Sequence, residues 1–192
     1  MSKIIIHGGF FSESSTNIET KIAKQQALLR IVKDSYAYLQ NHSALETVVY
    51  AVSQLEDDEL FNAGIGSQIQ SDGKIRMSAS LMDGESQKMS GVINIEEVKN
   101  PIQVAQVLMQ VDDRILGGSG ATNFARKHGF ESFSTEIPQR RAEYEAKLAS
   151  LGTGTVGCVA LDNKGKIAVA TSTGGKGFEI PGRISDSATV AG

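Results

Sequence analysis

The stretch Leu151-Gly152-Thr153-Gly154-Thr155-Val156-Gly157 decides how the chain folds. It ends a charged segment, from about 131 to 151, and leads at once into the apolar run Val156 to Leu161. A second apolar run, Lys166 to Thr171, follows the turn sequence Asp162-Asn163-Lys164-Gly165, so the two runs predict a β-hairpin. Apolar residues at adjacent positions are typical of strands covered on both faces, which favours a layered α/β fold.

The residues before this hairpin alternate between strand and helix patterns. Lys3-Ile4-Ile5-Ile6 predicts a buried strand that ends at Gly8-Gly9. Apolar spacing predicts one helix from about 17 to 40 and a second after the N-cap Ser43. The predicted apolar faces are Ile22, Leu29, Val32, Tyr36 and Leu39 in the first helix, and Leu45, Val48, Val49, Val52 and Leu55 in the second. Further predicted elements are short strands at 68–69, 75–77 and 91–95, a helix after Pro101, a helix at 121–128 closed by Gly129, and a short helix after Pro138.

Composition excludes several classes of function. Nineteen basic residues against 22 acidic ones give a net charge of −3, which argues against binding to nucleic acid or to an anionic membrane. The single cysteine, Cys158, excludes an intrachain disulfide and a multi-cysteine metal cluster, and the three histidines are too far apart for a local zinc motif. The apolar runs are too short for a membrane span or a signal peptide, so a cytoplasmic location is expected.

Thr155 is the first candidate for chemistry. It is a hydroxyl at the first position of a core strand, and the glycines around it allow a substrate or unusual backbone angles close to it. The alternative is that these glycines and threonines simply form a turn. Residue types alone leave both interpretations open.

Several motifs together resemble one known family. They are Gly154–Asp162, Ala170–Gly175 and Pro181–Ser187, preceded by His7-Gly8-Gly9, Phe61–Gly66 and Met82-Asp83-Gly84. In this order they resemble the plant-type asparaginases, also called isoaspartyl aminopeptidases, which are N-terminal nucleophile hydrolases. The resemblance covers nearly the whole chain and implies a four-layer αββα sandwich.

The resemblance also implies self-cleavage between Gly154 and Thr155. The chain would then consist of an α-subunit-like portion, 1–154, with its charged linker at about 131–151, and the start of a β-subunit, 155–192. Cleavage would free an α-amine, with an ordinary pKa of about 7.7–8.0, that can take the proton of the same residue's hydroxyl. The implied activity is hydrolysis of β-aspartyl dipeptides and L-asparagine, which releases aspartate.

Other site residues follow from the same resemblance. Thr173 would assist the hydrogen bonding of the nucleophile, and Asn62 would approach it. Arg183 and Asp186 would bind the α-carboxylate and the α-amine of the substrate, as their charges allow. No cofactor is expected for catalysis, and a dimer of cleaved αβ heterodimers is expected. A structural sodium ion would be held by the main-chain carbonyls of Leu55, Glu56, Asp58, Phe61, Ala63 and Ile65.

The sequence departs from the family at Ser78, at Ser185, which lies in the substrate clamp, and at Ala188. Only 38 residues follow Gly154 (192 − 154), which is shorter than the family's second subunit and leaves out its Thr-Gly oxyanion pair and several core strands. Three interpretations therefore stay open: a chain truncated after residue 192, a shortened and inactive relative acting as a binding or assembly partner, or a chain completed by another polypeptide. A glycosylasparaginase-type activity is a further alternative.

Overall fold

The computed structural model describes residues 1–9, 18–146 and 154–189. Six strands form one sheet in the order β1-β5-β6-β2-β3-β4, in which all neighbours are antiparallel except β3 and β4. The strands are β1 (Lys3–Gly8), β2 (Met77–Asp83), β3 (Lys88–Ile95), β4 (Ile115–Gly117), β5 (Thr155–Leu161) and β6 (Ile167–Thr173). The helices are α1 (Ile18–Leu39), α2 (Ala44–Glu56), α3 (Pro101–Leu108), α4 (Gly118–Lys127) and α5 (Pro138–Glu145), with a 3-10 turn at Asp186–Ala188.

The hairpin predicted from the sequence is the centre of this sheet. β5 and β6 pair antiparallel from Leu161↔Ile167 to Thr155↔Thr173, which confirms that prediction. On its other side β5 pairs with β1, so that His7 lies beside Gly157. The start of β5 is therefore flanked by the ends of two neighbouring strands.

Helices cover one face of the sheet. α2 packs on β5 and β6, α3 packs on β2 and β3, and α1 packs against β1 and α2. α2 begins as predicted, because Ser43 and Glu46 form a capping box, and the predicted face includes the fully buried Val48 and Val52. Against these side chains lie Val156 and other small or branched residues of the strands. The α/β class is confirmed, with one sheet and one helical layer built by the described residues.

The opposite face of the sheet is largely open in the described part of the chain. Ile5 is 72% exposed, Met82 43%, Val159 37% and Ile167 47%. The expectation that the central strands are covered on both faces is therefore wrong for these residues. The 3-10 turn is the described segment that lies on this face, where the main-chain oxygen of Ser187 accepts hydrogen bonds from β2 and β6.

The first predicted helix is present, but of its predicted inner face only Leu39 is buried. Ile22, Leu29 and Tyr36 are all more than 40% exposed. The buried residues of α1 are Ala27, Ile31, Ser35 and Leu39. Two of these are a small alanine and a serine, which carry little hydropathy signal although they allow close packing. Asn17, the predicted start, lies outside the described residues.

Other differences concern short segments. The turn at 71–74 forms, but 68–69 and 75–76 are not strands, and β2 begins only at Met77. The three-residue β4 was not predicted, and α4 begins at Gly118 and not at position 121. Gly129 does adopt the predicted left-handed conformation, with φ +84°. In the described residues no helix combines the length and the apolar character needed to cross a membrane.

The charged segment is only partly an exposed linker. α5 confirms the short helix predicted after Pro138. Thr135 is buried, its carbonyl accepts a hydrogen bond from Gly66 N, and Arg140 Nε donates to Gly66 O at 2.8 Å. This segment therefore packs against the loop that follows α2. The part of the predicted linker at 147–151 lies outside the described residues.

Candidate active site

Thr155 and Thr173 face each other at the ends of adjacent strands. Thr155 is the first residue of β5 and Thr173 the last of β6, and the register pairs them directly. Side chains alternate between the two faces along a strand. Thr155 shares its face with Val159 and Thr173 shares its face with Ile167, so the two hydroxyls lie on the open face of the sheet. The strand register alone therefore brings the predicted nucleophile next to the predicted assisting threonine.

The carbonyl of Gly154 is held by two hydrogen-bond donors. Thr173 Oγ1 donates to it at 3.1 Å, and Asn62 Nδ2 donates to it at 3.3 Å. Two donors on one carbonyl oxygen polarise the carbon and are placed to stabilise negative charge that develops on the oxygen. The predicted cleavage site thus combines the Thr155 hydroxyl with a carbonyl, one residue before it, that accepts two hydrogen bonds.

Asn62 is fixed by its own network. Its Oδ1 accepts a hydrogen bond from Gln68 N at 3.0 Å, and its Nδ2 also donates to Gly175 O. Its main-chain oxygen accepts from Gly174 N at 2.9 Å. These bonds join the loop after α2 to the end of β6, so the position of the Asn62 amide depends on both segments.

Two further polar groups that were not predicted contact Thr155. Ser187 Oγ lies 2.8 Å from Thr155 Oγ1. His7 Nδ1 lies 2.8 Å from the carbonyl oxygen of Thr155 and 3.3 Å from Gly9 N. The sequence gave only an indirect signal for these residues: Ser187 follows the predicted Asp186, and His7 belongs to the motif His7-Gly8-Gly9.

A cavity of about 240 Å³ opens beside these threonines. Its lining is His7, Gly154, Thr155, Thr173, Gly175, Lys176, Arg183, Ser185 and Asp186. The side chains of Arg183, Asp186 and Lys176 form no ion pair with one another or with any other described residue. They are therefore available to a charged ligand, and Lys176 is a cation that the sequence motifs did not single out.

The three departures from the family have different surroundings. Ser78 stands opposite Thr173 in β2 and its hydroxyl accepts a hydrogen bond from Asn94 N at 3.1 Å, so it has a structural partner. Ser185 lies in the wall of the cavity, as its place between Arg183 and Asp186 suggests. The side chain of Ala188 is outside what the structure describes.

The loop after α2 has the properties of a site for a monovalent cation. Phe61 N donates to Asp58 O at 3.1 Å and Ile65 N donates to Glu56 O at 2.7 Å, which closes the loop tightly. Gly64 has φ +53°, and a Cβ at this position would collide with the main-chain oxygen of Glu56.

Four of the six predicted carbonyl ligands in this loop accept no hydrogen bond from a described residue; they belong to Leu55, Phe61, Ala63 and Ile65. Leu55, Phe61 and Ala63 are at most 1% exposed. Buried carbonyls without a donor are uncommon, and converging oxygens are the ligands that hard cations prefer. The residues present therefore fit a sodium ion, although its presence stays a prediction.

The carboxyl group of Glu56, at the end of α2, is buried against β6. Glu56 Oε1 accepts hydrogen bonds from Ser172 Oγ at 2.6 Å and from Ile102 N at 3.1 Å, while Oε2 has no partner among the described residues. Burial raises the pKa of Glu56 to about 8, so the group is mainly a neutral acid at pH 7. Burial also raises the pKa of the Cys158 thiol to about 12, so this thiol is not ionised at pH 7.

A sheet backed by helices, with a threonine at the head of a central strand and an activated glycine carbonyl before it, defines an N-terminal nucleophile hydrolase. Residues 1–192 match the profile of the family described as Asparaginase, and the chain belongs to that family.

Curated relatives support the same assignment. The chain is 44% identical to the isoaspartyl peptidase/L-asparaginase of Nostoc sp. and 44% identical to that of Synechocystis sp., with 99% of the chain covered in each case. It is 35% identical to the isoaspartyl peptidase of Escherichia coli over 97% of the chain. The chain spans 66%, 63% and 65% of the length of these three relatives, which is less than two thirds.

Proposed function

We propose that the chain is part of an enzyme that cleaves itself between Gly154 and Thr155 and then hydrolyses β-aspartyl dipeptides and L-asparagine, releasing aspartate. The observation that carries the proposal is the Gly154 carbonyl, which accepts hydrogen bonds from Thr173 and Asn62 directly before the hydroxyl of Thr155. The names of the relatives support the substrate class.

Self-cleavage needs only groups of this site and one water molecule. Thr155 Oγ1 attacks the carbonyl carbon of Gly154, and the negative charge on the oxygen is stabilised by Thr173 and Asn62. The bond between that carbon and the Thr155 nitrogen then breaks, and the nitrogen takes the proton that Oγ1 loses. Water hydrolyses the resulting ester, which leaves a carboxylate on Gly154 and a free amine and hydroxyl on Thr155.

The same hydroxyl then serves the substrate. The free amine of Thr155 accepts the proton of Oγ1 as that oxygen attacks the β-carbonyl carbon, and it delivers the proton to the leaving amine or ammonia. A β-aspartyl ester of Thr155 remains, and water hydrolyses it to aspartate. Because base and nucleophile belong to one residue, no histidine base is needed.

The charges of the cavity favour dipeptides over asparagine as substrates. Arg183 and Lys176 are cations and Asp186 is an anion, and none has an ion-pair partner in the described chain. A β-aspartyl dipeptide carries two carboxylates and one ammonium at pH 7, whereas asparagine carries one of each. The dipeptide therefore matches all three side chains, with the α-carboxylate on Arg183, the ammonium on Asp186 and the second carboxylate on Lys176.

The other parts of the proposal concern assembly and stability. A sodium ion in the loop after α2 would stabilise the loop that carries Asn62 and would take no part in the chemistry. The mature enzyme would be a dimer of cleaved heterodimers in the cytoplasm, where a single buried thiol such as Cys158 stays reduced.

The test is a Thr155→Ala substitution in the complete gene product, with Thr155→Ser as the matched control. We expect intact mass to show no cleavage for the alanine variant and no aspartate release from β-aspartyl-leucine. The serine variant keeps a hydroxyl and should retain both reactions at lower rates. Turnover by the alanine variant would contradict the proposal, and aspartate binding by a wild-type protein without turnover would favour a binding protein.

A further inference from the structure

We propose that Ser187 is a further catalytic residue, whose hydroxyl forms a hydrogen bond with Thr155 Oγ1 and holds this nucleophile in position for attack. This inference rests on the proposed function, since it assigns a role to a second hydroxyl at the same reacting atom. It concerns a residue for which neither the sequence motifs nor the comparisons give a role.

The contact is direct. Ser187 Oγ lies 2.8 Å from Thr155 Oγ1, a normal distance for a hydrogen bond between hydroxyls. Ser187 is completely buried, so water does not compete for its hydroxyl in this arrangement. In the described chain no other side chain bonds to Thr155 Oγ1, and Ser187 Oγ has no other partner.

The serine is anchored independently of the nucleophile. Its main-chain oxygen accepts hydrogen bonds from Thr171 Oγ1 at 2.5 Å and from Ser80 Oγ at 2.9 Å. These donors belong to β6 and β2, and they also lie 2.9 Å from each other. The turn itself is closed by a bond from Thr189 N to Asp186 O at 2.8 Å. Ser187 is thus fixed to the sheet by its backbone, which leaves its hydroxyl to act on Thr155.

The contact with Ser187 would orient the Thr155 hydroxyl before self-cleavage, when no free amine is present. Before cleavage the nitrogen of Thr155 is an amide and is not a base, so the hydroxyl lacks the amine that orients it in the mature enzyme. A hydrogen bond with Ser187 holds the Thr155 hydroxyl in one rotamer beside the carbonyl carbon. After cleavage the amine supplies a second partner for this hydroxyl. Loss of Ser187 should therefore affect self-cleavage more than turnover.

The experiment compares Ser187→Ala with wild type in the complete gene product. Freshly synthesised protein is followed by intact mass to obtain the rate of cleavage, and aspartate release is measured per mole of cleaved chain. We expect cleavage to slow about 10- to 30-fold, as the loss of one hydrogen bond to a reacting group implies, and turnover to fall less. KM for the substrate should change little, because Ser187 contacts the nucleophile and not the substrate.

Ser90→Ala is the matched control. Ser90 is also a fully buried serine of the sheet, but its Oγ donates to Ala105 O on the helical side, away from the site. We expect this variant to lose thermal stability and to cleave at the wild-type rate. Ser187→Cys is the second variant if the alanine protein does not fold, because a thiol fills the site but is only a weak hydrogen-bond donor and acceptor.

The outcomes separate the two proposals. Wild-type cleavage and turnover in the Ser187 variants, with neither reaction in Thr155→Ala, would overturn the role of Ser187 and leave the proposed function standing. Equal losses in Ser187→Ala and Ser90→Ala would make Ser187 a structural residue and overturn its catalytic role. Turnover in Thr155→Ala would instead overturn the proposed function itself.

Discussion

At the scale of single residues, the site depends on which groups meet the Gly154 carbonyl and the Thr155 hydroxyl. Asn62 lies 92 positions before Gly154 and Thr173 lies 19 positions after it, and both donate to the same oxygen. The local sequence around Thr155 indicates a hydroxyl near glycines, but it does not contain these donors. They come from the strand register and from the loop after α2.

Lys176 gives a prediction about substrate choice. We expect Lys176→Met to lower kcat/KM for β-aspartyl-leucine about tenfold and to change kcat/KM for L-asparagine less than twofold, because only the dipeptide carries a second carboxylate. The measurement is steady-state kinetics with both substrates.

Lys164→Met is the control for the loss of one positive charge, since Lys164 lies in the β5–β6 turn at the far end of the sheet. Equal losses of kcat/KM for both substrates in Lys176→Met would contradict the assigned contact.

Glu56 gives a prediction about pH. Its pKa is about 8 in the folded protein and about 4.5 when unfolded, so the folded state binds the proton more tightly. The contribution to stability is therefore complete below pH 4.5 and is lost as the pH rises towards 8. We expect Glu56→Gln to remove this dependence, so that its Tm relative to wild type rises by several degrees between pH 5 and pH 8. A constant Tm difference over this range would show that the carboxyl group does not titrate in this way.

Which site residues could be predicted from the sequence depended on their residue type. A threonine after glycine, an arginine and an aspartate are recognisable, and the structure brings Thr155, Arg183 and Asp186 to one cavity. Ser187, His7 and Lys176 belong to residue types that are common on any surface. Only their positions, one beside the nucleophile and two at the cavity wall, give them significance, and position requires the fold.

At the scale of elements, the loop after α2 links the core to the site. It begins with the buried end of a helix, closes through Gly64 at positive φ, and carries Asn62 to the end of β6. The sequence predicted α2 well, because its face is made of branched apolar residues. It failed on most of the face of α1, where it identified Leu39 but missed Ala27 and Ser35, because small residues do not stand out in an apolar pattern.

This loop gives a prediction about sodium. Replacing sodium chloride by choline chloride at equal ionic strength should lower the Tm by several degrees, since buried carbonyls would lose a ligand that binds only the folded state. The measurement is thermal unfolding in the two salts.

Gly64→Ala is the matched variant for this test. Its Cβ would meet the Glu56 carbonyl, so it should lower the Tm and abolish the response to sodium. The same Tm in both salts for wild type would argue against a sodium site.

At the scale of the whole molecule, one face of the sheet is packed and the other is open. Ile5 and Val159 are neighbours across β1 and β5, and both are exposed. Contiguous exposed apolar surface of this kind is unusual on a folded protein. The sequence pattern correctly indicated strands with apolar residues on both faces, but in the described part of the chain only one of these faces is covered.

The open face gives a prediction about this 192-residue chain. We expect it to bind the apolar dye ANS strongly, and Ile5→Thr with Val159→Thr to reduce the fluorescence at least twofold while the Tm changes little, because threonine favours strands. Ile22→Thr with Leu29→Thr removes two equally exposed side chains from α1 and should have a smaller effect. Unchanged fluorescence in the sheet variant would mean that dye binds elsewhere.

The two donors on the Gly154 carbonyl also have a consequence for the time course of the proposed self-cleavage. Nucleophile, carbonyl and donors all belong to a single polypeptide, so maturation should follow first-order kinetics, with a half-time that does not change on dilution. The half-time of each molecule would therefore run from the moment its polypeptide folds. The supply of active enzyme would lag behind synthesis by a constant interval at any expression level.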